Sequence, residues 1–214
     1  MKLHAARCGT IKVDSGLLDG GDPDGRTRLS GELRAVPSMC FVLEHPEAIV
    51  VWDTSMHPAV CTDPVGYWGP LAESVTVPKY APDEVITARL ALLGIDVDAV
   101  GIVLNSHLHN DHAGGLRLFD PSIPVWVQRS EYDYGMNDHP FPEQHGMFRI
   151  DYDDPQINWQ FMYGDTEIVP GVSTIYTPGH TPGHQSFIID LPDGTGYAFA
   201  NDAADLTENI EQEI

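Results

Sequence analysis

The feature that most constrains this chain is a run of metal-binding side chains directly after a short apolar segment. Residues 100–105 read Val-Gly-Ile-Val-Leu-Asn, which predicts a buried strand, and the chain continues into His107-x-His109-x-Asp111-His112. Residues two apart in an extended segment point the same way, so His107 and His109 can address one metal ion. Asp111 and His112 can then face a second ion, and this donor set suits Zn²⁺ or a related metal.

The surroundings of this motif favour a functional site over a chance cluster. Ten histidines occur in the 214 residues, and three of them fall inside this one motif. Gly114 and Gly115 follow it, and we expect them to let the backbone turn tightly into the next helix. A group of loop histidines that binds no metal is therefore a poor explanation of the pattern.

Two later segments supply further candidate ligands. A predicted strand over 172–177 ends at Pro178-Gly179-His180, and a second Pro-Gly-His unit ends at His184. Asp202 follows a strand predicted to form a hairpin with residues 186–191. Because a carboxylate has two oxygens, Asp202 can bridge two cations at the end of that strand.

The remaining pattern predicts an α/β sandwich in which strands recur and helices lie between some of them. We expect a strand pair at 39–43 and 49–53, a strand at 124–128, and loops at 19–25 and 58–79. Residues 82–93 predict a helix that ends at Gly94, with Val85, Ala88 and Leu92 on one face, and Ser130 is a candidate helix cap. Four loop side chains either line an apolar groove or pack ordinarily: Tyr67, Trp68, Met136 and Phe141.

Composition narrows the classes of partner. The net charge is −21, from 11 basic and 32 acidic residues, and such a chain repels nucleic-acid phosphates and anionic lipid. Three cysteines at long spacings predict a reducing compartment rather than a disulfide framework. The N-terminus lacks an apolar signal region, and no apolar run approaches the roughly 20 residues of a membrane span, so we expect a cytoplasmic protein.

The motifs together resemble the metallo-β-lactamase superfamily, whose pattern is HxHxDH followed by a distant His and then an Asp. Four segments are most similar to its branch of quorum-quenching N-acyl homoserine lactonases: SHLHNDHAGG at 106–115, VQRSEY at 127–132, YTPGHTPGHQS at 176–186 and NDAADLTEN at 201–209. The resemblance implies that residues 1–214 form a single hydrolase domain with the αββα sandwich of that superfamily. It also implies that the C-terminal strand and helix of that fold are absent here.

The resemblance further implies a site with two divalent metal ions, for which Zn²⁺ is the expected metal. The first ion would be held by His107, His109 and His180, and the second by Asp111 and His112, with Asp202 bridging the two. His184 would support the site from behind rather than bind metal. The chain departs from the family pattern in two ways, because no histidine follows His184 and because Asp205 stands where the lactonases carry a Tyr.

The activity implied is hydrolysis of the lactone ring of N-acyl homoserine lactones by a metal-bound hydroxide, with Asp111 as the proton shuttle. The implied partner is thus a small-molecule lactone, with no nucleic acid and no membrane. A related lactonase, or a thioester hydrolase like glyoxalase II, is the alternative that Asp205 leaves open. A third hypothesis is that the chain is an inactive metal-binding fragment, because the missing histidine predicts a weak second metal site.

Overall fold

The computed structural model describes residues 1–18, 30–70, 72, 77–137 and 145–211. The described strands are β1 (Lys2–Asp14), β2 (Leu33–Glu44), β3 (Ile49–Trp52), β4 (Val77–Lys79), β5 (Val100–Leu104), β6 (Pro124–Gln128), β7 (Asn158–Met162), β8 (Thr166–Val169), β9 (Val172–Tyr176), β10 (Gln185–Asp190) and β11 (Gly196–Phe199). The α-helices are α1 (Pro64–Trp68), α2 (Ile86–Leu92), α3 (Asn110–Ala113), α4 (Arg129–Gly135), α5 (Arg149–Tyr152) and α6 (Thr207–Glu211). Short 3₁₀ turns lie at Ser15–Leu17, Pro58–Cys61, Pro82–Glu84, Val97–Ala99, Leu116–Leu118 and Asn201–Ala203.

The strands form two sheets. The first has the order β4-β1-β2-β3-β5-β6-β7, in which β1, β2, β3 and β4 pair antiparallel and β3, β5, β6 and β7 pair parallel. The second has the order β11-β10-β9-β8 and is antiparallel throughout. The carboxyl ends of parallel strands meet at one edge of a sheet, so the loops after β3, β5 and β6 lie side by side.

The two sheets pack face to face. Trp52 and Leu104 of the first sheet share one buried cluster with Val172, Phe187 and Ile189 of the second. The rings of Trp52 and Phe187 lie 5.6 Å apart between centroids, within the range in which aromatic pairs attract. The predicted α/β sandwich is therefore confirmed.

The other face of the first sheet is covered by helices. Ile86 and Leu90 of α2 and Tyr152 of α5 pack into a cluster with sheet residues that include Val51 and Val103. Ile86 and Leu90 are four residues apart and thus lie on one face of their helix. Among the described residues, no helix combines the length and apolar character that crossing a membrane requires.

Two predicted strand pairs are confirmed. The segments predicted at 39–43 and 49–53 are β2 and β3, which pair antiparallel with Leu43 opposite Val50. The hairpin predicted near the end of the chain is β10 with β11, in which Phe187 lies opposite Phe199. The strands predicted at 100–105, 124–128 and 172–177 are β5, β6 and β9.

The prediction of an irregular loop over 58–79 was wrong. The segment contains a 3₁₀ turn, helix α1 and strand β4. The helix begins where Asp63 accepts a hydrogen bond from the backbone N–H of Gly66, with Pro64 in its first turn. Asp followed by Pro is a helix start signal that can be read from sequence.

The helix predicted over 82–93 is present in two pieces. Its backbone is extended at Val85, with ψ 141°, so a 3₁₀ turn precedes α2 instead of continuing into it. Leu92 was predicted to share a face with Val85, but Val85 is buried whereas Leu92 is 72% exposed. Gly94 ends the helix with φ +76°, as predicted.

Two further predictions concerned a helix cap and an early loop. Ser130 was a candidate helix cap, but Gln128 holds that position and Ser130 lies within the first turn of α4. The loop predicted at 19–25 lies outside the described residues.

Candidate metal centre

Five of the six predicted ligands line one cavity of about 540 Å³ at the end of the sandwich where the loops after β3, β5, β9 and β11 meet: His109, Asp111, His112, His180 and Asp202. The sixth, His107, is fully buried. Apolar side chains of β1, β2 and β11 also line the cavity, among them Ile11, Val36, Met39, Phe41 and Phe199. A small amphipathic molecule therefore has both a polar and an apolar surface to contact.

Four of the six predicted ligands form one compact group. The ligand atoms of His107, His109, His180 and Asp202 all lie within 4.8 Å of one another. His109 Nδ1 lies 2.9 Å from His107 Nε2 and 2.9 Å from His180 Nε2. The Oδ2 of Asp202 lies 3.6 Å from His107 Nε2 and 3.3 Å from His180 Nε2.

These separations match the needs of a tetrahedral ion. Zinc bonds of about 2.0–2.2 Å place neighbouring ligand atoms about 3.4 Å apart. The measured separations of 2.9 to 3.6 Å bracket that value. The group therefore fits a divalent metal ion with three imidazoles and one carboxylate.

A second group lies on the other side of Asp202. His112 Nε2 is 3.4 Å from Asp202 Oδ1 and 3.5 Å from Asp111 Oδ2. The two oxygens of Asp202 thus face different groups, Oδ2 toward His107 and His180 and Oδ1 toward His112. This arrangement is the one expected of a carboxylate between two cations.

Asp53 is a site residue that the sequence analysis missed. It follows β3, and its Oδ2 lies 2.8 Å from His112 Nδ1. The same carboxylate accepts hydrogen bonds from the backbone N–H and the hydroxyl of Ser106. A carboxylate behind a histidine fixes the ring and leaves the other nitrogen free for a metal. The signal that could have found Asp53 is an acid at the end of the parallel strand beside β5.

Backbone strain is concentrated in this region. Among non-glycine residues that the structure describes, positive φ values occur at Asp53 (55°), Ser55 (57°) and Asn201 (49°). Asp53 contacts His112, and Asn201 immediately precedes Asp202. Strained residues of this kind cluster at functional sites because surrounding contacts hold them in place.

The two glycines after the motif serve close packing as well as a turn. Gly114 and Gly115 form the predicted turn between α3 and the 3₁₀ turn at Leu116–Leu118, but their φ values of −61° and −91° do not themselves require glycine. A Cβ on Gly114 would lie 2.5 Å from the backbone nitrogen of His57, and one on Gly115 would lie 2.4 Å from the carbonyl oxygen of Thr54. Only glycine lets α3 approach the loop after β3 this closely.

The electrostatics leave most histidines neutral. Burial lowers the pKa values of His107, His109 and His180, since the interior disfavours the charged imidazolium. Burial also lowers the pKa of His184, to about 4. Neutral imidazoles are the form that binds a metal ion.

The buried carboxylates of the centre favour a positive charge between them. Burial works against ionisation of Asp202, but His112, His180 and His109 outweigh it and lower the pKa of Asp202. Burial likewise works to lower the pKa of His112, but Asp202, Asp111 and Asp53 raise it well above its usual range. Several carboxylates therefore converge on a position where a bound cation would replace the proton.

Three further residues lie close to the predicted ligands, and His184 is placed as predicted. His184 is fully buried, and its ring lies against that of His107 with centroids 5.3 Å apart, while its Nδ1 contacts the hydroxyl of Thr177. The hydroxyl of Ser106 donates a hydrogen bond to the carboxylate of Asp53, so Ser106 is not placed as a nucleophile. Asp205 lines the cavity, and burial, reinforced by Asp202, raises the pKa of this carboxyl to about 7.

Of the four residues considered for an apolar groove, the three that the structure describes do not line this cavity. Trp68 is buried in a cluster with Met56 and Phe148, and Tyr67 packs against that cluster. Met136 packs against the cluster under the first sheet. Phe141 lies outside the described residues.

Comparison with known proteins identifies the family. The profile described as the metallo-beta-lactamase superfamily matches residues 33–204 of this chain. The chain belongs to the metallo-beta-lactamase superfamily. Its relatives place it in the branch that contains the N-acyl homoserine lactonases, as the flanking segments predicted.

Two curated relatives illustrate that branch. An N-acyl homoserine lactonase of Bacillus thuringiensis is 33% identical over 184 residues, which cover 86% of this chain and 70% of the relative. The N-acyl homoserine lactonase AttM of Agrobacterium fabrum is 37% identical over 183 residues, which cover 83% of this chain and 68% of the relative.

A solved structure gives the same result. An N-acyl homoserine lactone hydrolase, solved with the product N-hexanoyl-L-homoserine at its catalytic metal centre, is 30% identical to this chain. It superposes with a TM-score of 0.85, and the match covers all of this chain and 80% of that one. The fold of this metallo-beta-lactamase superfamily member is therefore that of the lactone hydrolase.

Proposed function

We propose that this protein is a metal-dependent hydrolase that opens the lactone ring of N-acyl homoserine lactones. The observation that carries the proposal is the pair of ligand groups that share Asp202 at the floor of a cavity with one apolar wall. The relatives named as N-acyl homoserine lactonases support the choice of substrate.

We propose two divalent ions at this centre, with Zn²⁺ as the metal. Three imidazoles in the first group suit zinc, and carboxylates dominate the second. When bound, such ions polarise an ester carbonyl and lower the pKa of water toward neutrality. The first ion would be held by His107, His109, His180 and Asp202, and the second by Asp111, His112 and Asp202.

The side chains have separable roles in ring opening. Asp202 presents one oxygen to each group and so sets their separation. Asp53 holds the ring of His112 through Nδ1, which directs Nε2 to the site. Asp111 lies on the cavity wall beside His112, from where it can carry a proton to the ring oxygen that leaves.

The apolar wall accounts for an acyl chain. Ile11, Val36 and Met39 of β1 and β2 line the same cavity as the histidines. Each methylene buried against such a wall contributes roughly 0.8 kcal/mol, so a medium-length chain adds several kcal/mol to binding. The acyl chain would lie along β1 and β2 while the lactone faces Asp202.

One observation favours a second candidate function. Asp205 lines the cavity where the lactonases carry a tyrosine that helps to polarise the substrate carbonyl. A carboxyl group at this position lacks the phenol, so a related lactone or a thioester is the alternative substrate. Both alternatives use the same two groups of ligands.

The deciding experiment measures metal content and substrate preference together. The purified chain is loaded with Zn²⁺ and analysed for metal per chain, and acid release from N-hexanoyl homoserine lactone is followed by pH-stat titration. We expect two ions per chain and ring opening, with a metal-stripped sample as the control. Two ions with turnover only of an acyl-glutathione thioester would favour the alternative, and absence of metal binding would contradict both.

A further inference from the structure

Glu131 is a buried acid whose bonds connect the two histidine-bearing loops. It lies in α4 and has no exposed surface. Its Oε1 accepts a hydrogen bond of 2.9 Å from the backbone N–H of Leu108, which lies between His107 and His109. The carboxylate therefore holds the centre of the first ligand motif.

The other oxygen of Glu131 binds the second loop. Oε2 accepts hydrogen bonds from the hydroxyl of Thr181, at 2.7 Å, and from the backbone N–H of Gly183, at 2.9 Å. Thr181 directly follows His180. One side chain thus bonds to neighbours of all three histidines in the first group.

Close packing of α4 supports these bonds. A Cβ on Gly183 would lie 2.2 Å from the backbone nitrogen of Glu131, so no larger residue fits there. One turn further along α4, a Cβ on Gly135 would lie 2.9 Å from the side chain of Leu108. The helix is therefore in direct contact with both loops, and Gly135 of the helix and Gly183 of the second loop permit the approach.

The two loops come from different sheets, and hydrogen bonds hold them together. Besides the bonds of Glu131, Gln185 donates to the backbone carbonyls of Asn105 and Ser106, just before the first loop's histidines. His107 and His109 follow β5 of the first sheet, whereas His180 follows β9 of the second. The atoms that would bind one ion, His109 Nδ1 and His180 Nε2, are nevertheless 2.9 Å apart. A metal ion bound between loops requires them to be held in register before it arrives.

We propose that Glu131 is a positioning residue that sets the spacing of the His107–His109 loop and the His180 loop for the first metal ion. The proposal rests on the metal centre of the proposed function. It concerns metal affinity and geometry, and Glu131 touches neither the metal nor the substrate.

Glutamine is the informative substitution at this position. All three partners of Glu131 are donors, two backbone N–H groups and one hydroxyl. Glu131→Gln keeps the shape but replaces one acceptor oxygen with an NH₂ group, so one of the two loops loses its bond. Thr181→Val removes only the hydroxyl bond, and Thr181→Ser retains it.

The experiment measures the affinity of the metal-free protein for Zn²⁺ by chelator competition, together with its thermal midpoint. We expect Glu131→Gln to weaken the affinity about 10–100-fold, the range found when groups behind metal ligands are removed. Thr181→Val should weaken the zinc affinity less than Glu131→Gln does, and Thr181→Ser should keep the wild-type affinity. The matched control is Asp151→Asn, another fully buried acid, which bonds Trp68 instead of a histidine loop and should leave zinc affinity unchanged.

The readouts separate positioning from simple structural support. If Glu131→Gln lowers the thermal midpoint while its zinc affinity stays at the wild-type value, the proposal is wrong. If Glu131→Gln does not fold, the affinities of Thr181→Val and Thr181→Ser decide, and equal values for the two would overturn it. Absence of lactone hydrolysis by a zinc-binding wild type would refute the substrate alone, whereas a wild type that binds no zinc would overturn both.

Discussion

At the residue scale, the chemistry of the centre depends on which atom of each side chain faces the cavity. Ser106 contacts His107 Nδ1 and Asp53 contacts His112 Nδ1, so both rings present Nε2 to the site. His109 presents Nδ1 instead. Hydrogen bonds on the far nitrogen thus select the metal-binding tautomer before any ion is present.

His109→Ala should empty the first group and abolish lactone hydrolysis, because His109 Nδ1 is the atom closest to both other imidazoles. Metal analysis and the pH-stat assay check this together. His45→Ala is the control, because His45 lies in the turn between β2 and β3, at the opposite end of those strands. Near-normal activity in His109→Ala would refute the metal assignment.

Asp111→Asn should retain the first ion, whose four proposed ligands do not include Asp111, yet lose most of the rate. Removing a positioned proton carrier lowers a rate by about 10²–10⁴-fold. Zinc content and initial rates are measured on the same preparation. A variant that keeps both its first ion and its full rate would show that Asp111 does not carry the proton.

At the scale of elements, one buried hydrogen bond joins two short helices. Helix α5 is joined to α1 by a hydrogen bond of 2.9 Å from Trp68 Nε1 to Asp151 Oδ2. Burial raises the pKa of Asp151 to about 7, although Trp68, Tyr67 and Arg117 act to lower it. This contact therefore makes the packing of the two helices sensitive to pH.

The free energy of unfolding should fall as pH rises from about 4 to 7 through Asp151. The folded state keeps the proton up to about pH 7, whereas the unfolded chain loses it near 3.8, so the folded state binds more protons in between. The maximum slope is about 1.4 kcal/mol per pH unit. In Asp151→Asn this slope is absent. The free energy of unfolding of the variant, measured with urea, should therefore rise relative to that of the wild type from pH 4 to 7. A constant difference from pH 4 to 7 would contradict the prediction.

At the scale of the whole molecule, the site exists because two sheets pack against each other. Ligands after β5 come from the first sheet, and those after β9 and β11 come from the second. The contact between the sheets is centred on Trp52. The ring centroids of Phe187 and Phe199 lie within 5.6 Å of the Trp52 ring. The packing of these rings thereby holds together the two sheets that carry the two halves of the metal centre.

Phe187→Ala should destabilise the fold by about 3–5 kcal/mol, the cost of a large cavity in a packed core. Phe187 is fully buried between the sheets. Urea unfolding measures the change, and Tyr163→Ala, at a residue that is 82% exposed, is the control expected to stay near the wild type. Equal stabilities for the two variants would show that the inter-sheet core is not where the stability lies.

Local patterns were enough to predict much of the fold. Alternation and short apolar runs identified β5, β6, β9, β10 and β11, because each needs only five or six neighbouring residues to show its period. The same patterns missed α1 and the break before α2. There, a single cap or one extended residue outweighs the average preference of the segment.

What the sequence by itself determined is the identity of the chemical groups and their local spacing. His107, His109, Asp111 and His112 lie within six residues, so strand geometry alone indicates that they act together. His180 and Asp202 were also indicated by the sequence, but only the tertiary structure decided which other distant side chains support these ligands. Asp53 reaches His112 across 59 positions, and Glu131 reaches Thr181 across 50. No local period encodes such pairs, because they form only when the strand order brings separate loops to one edge and the two sheets close over them.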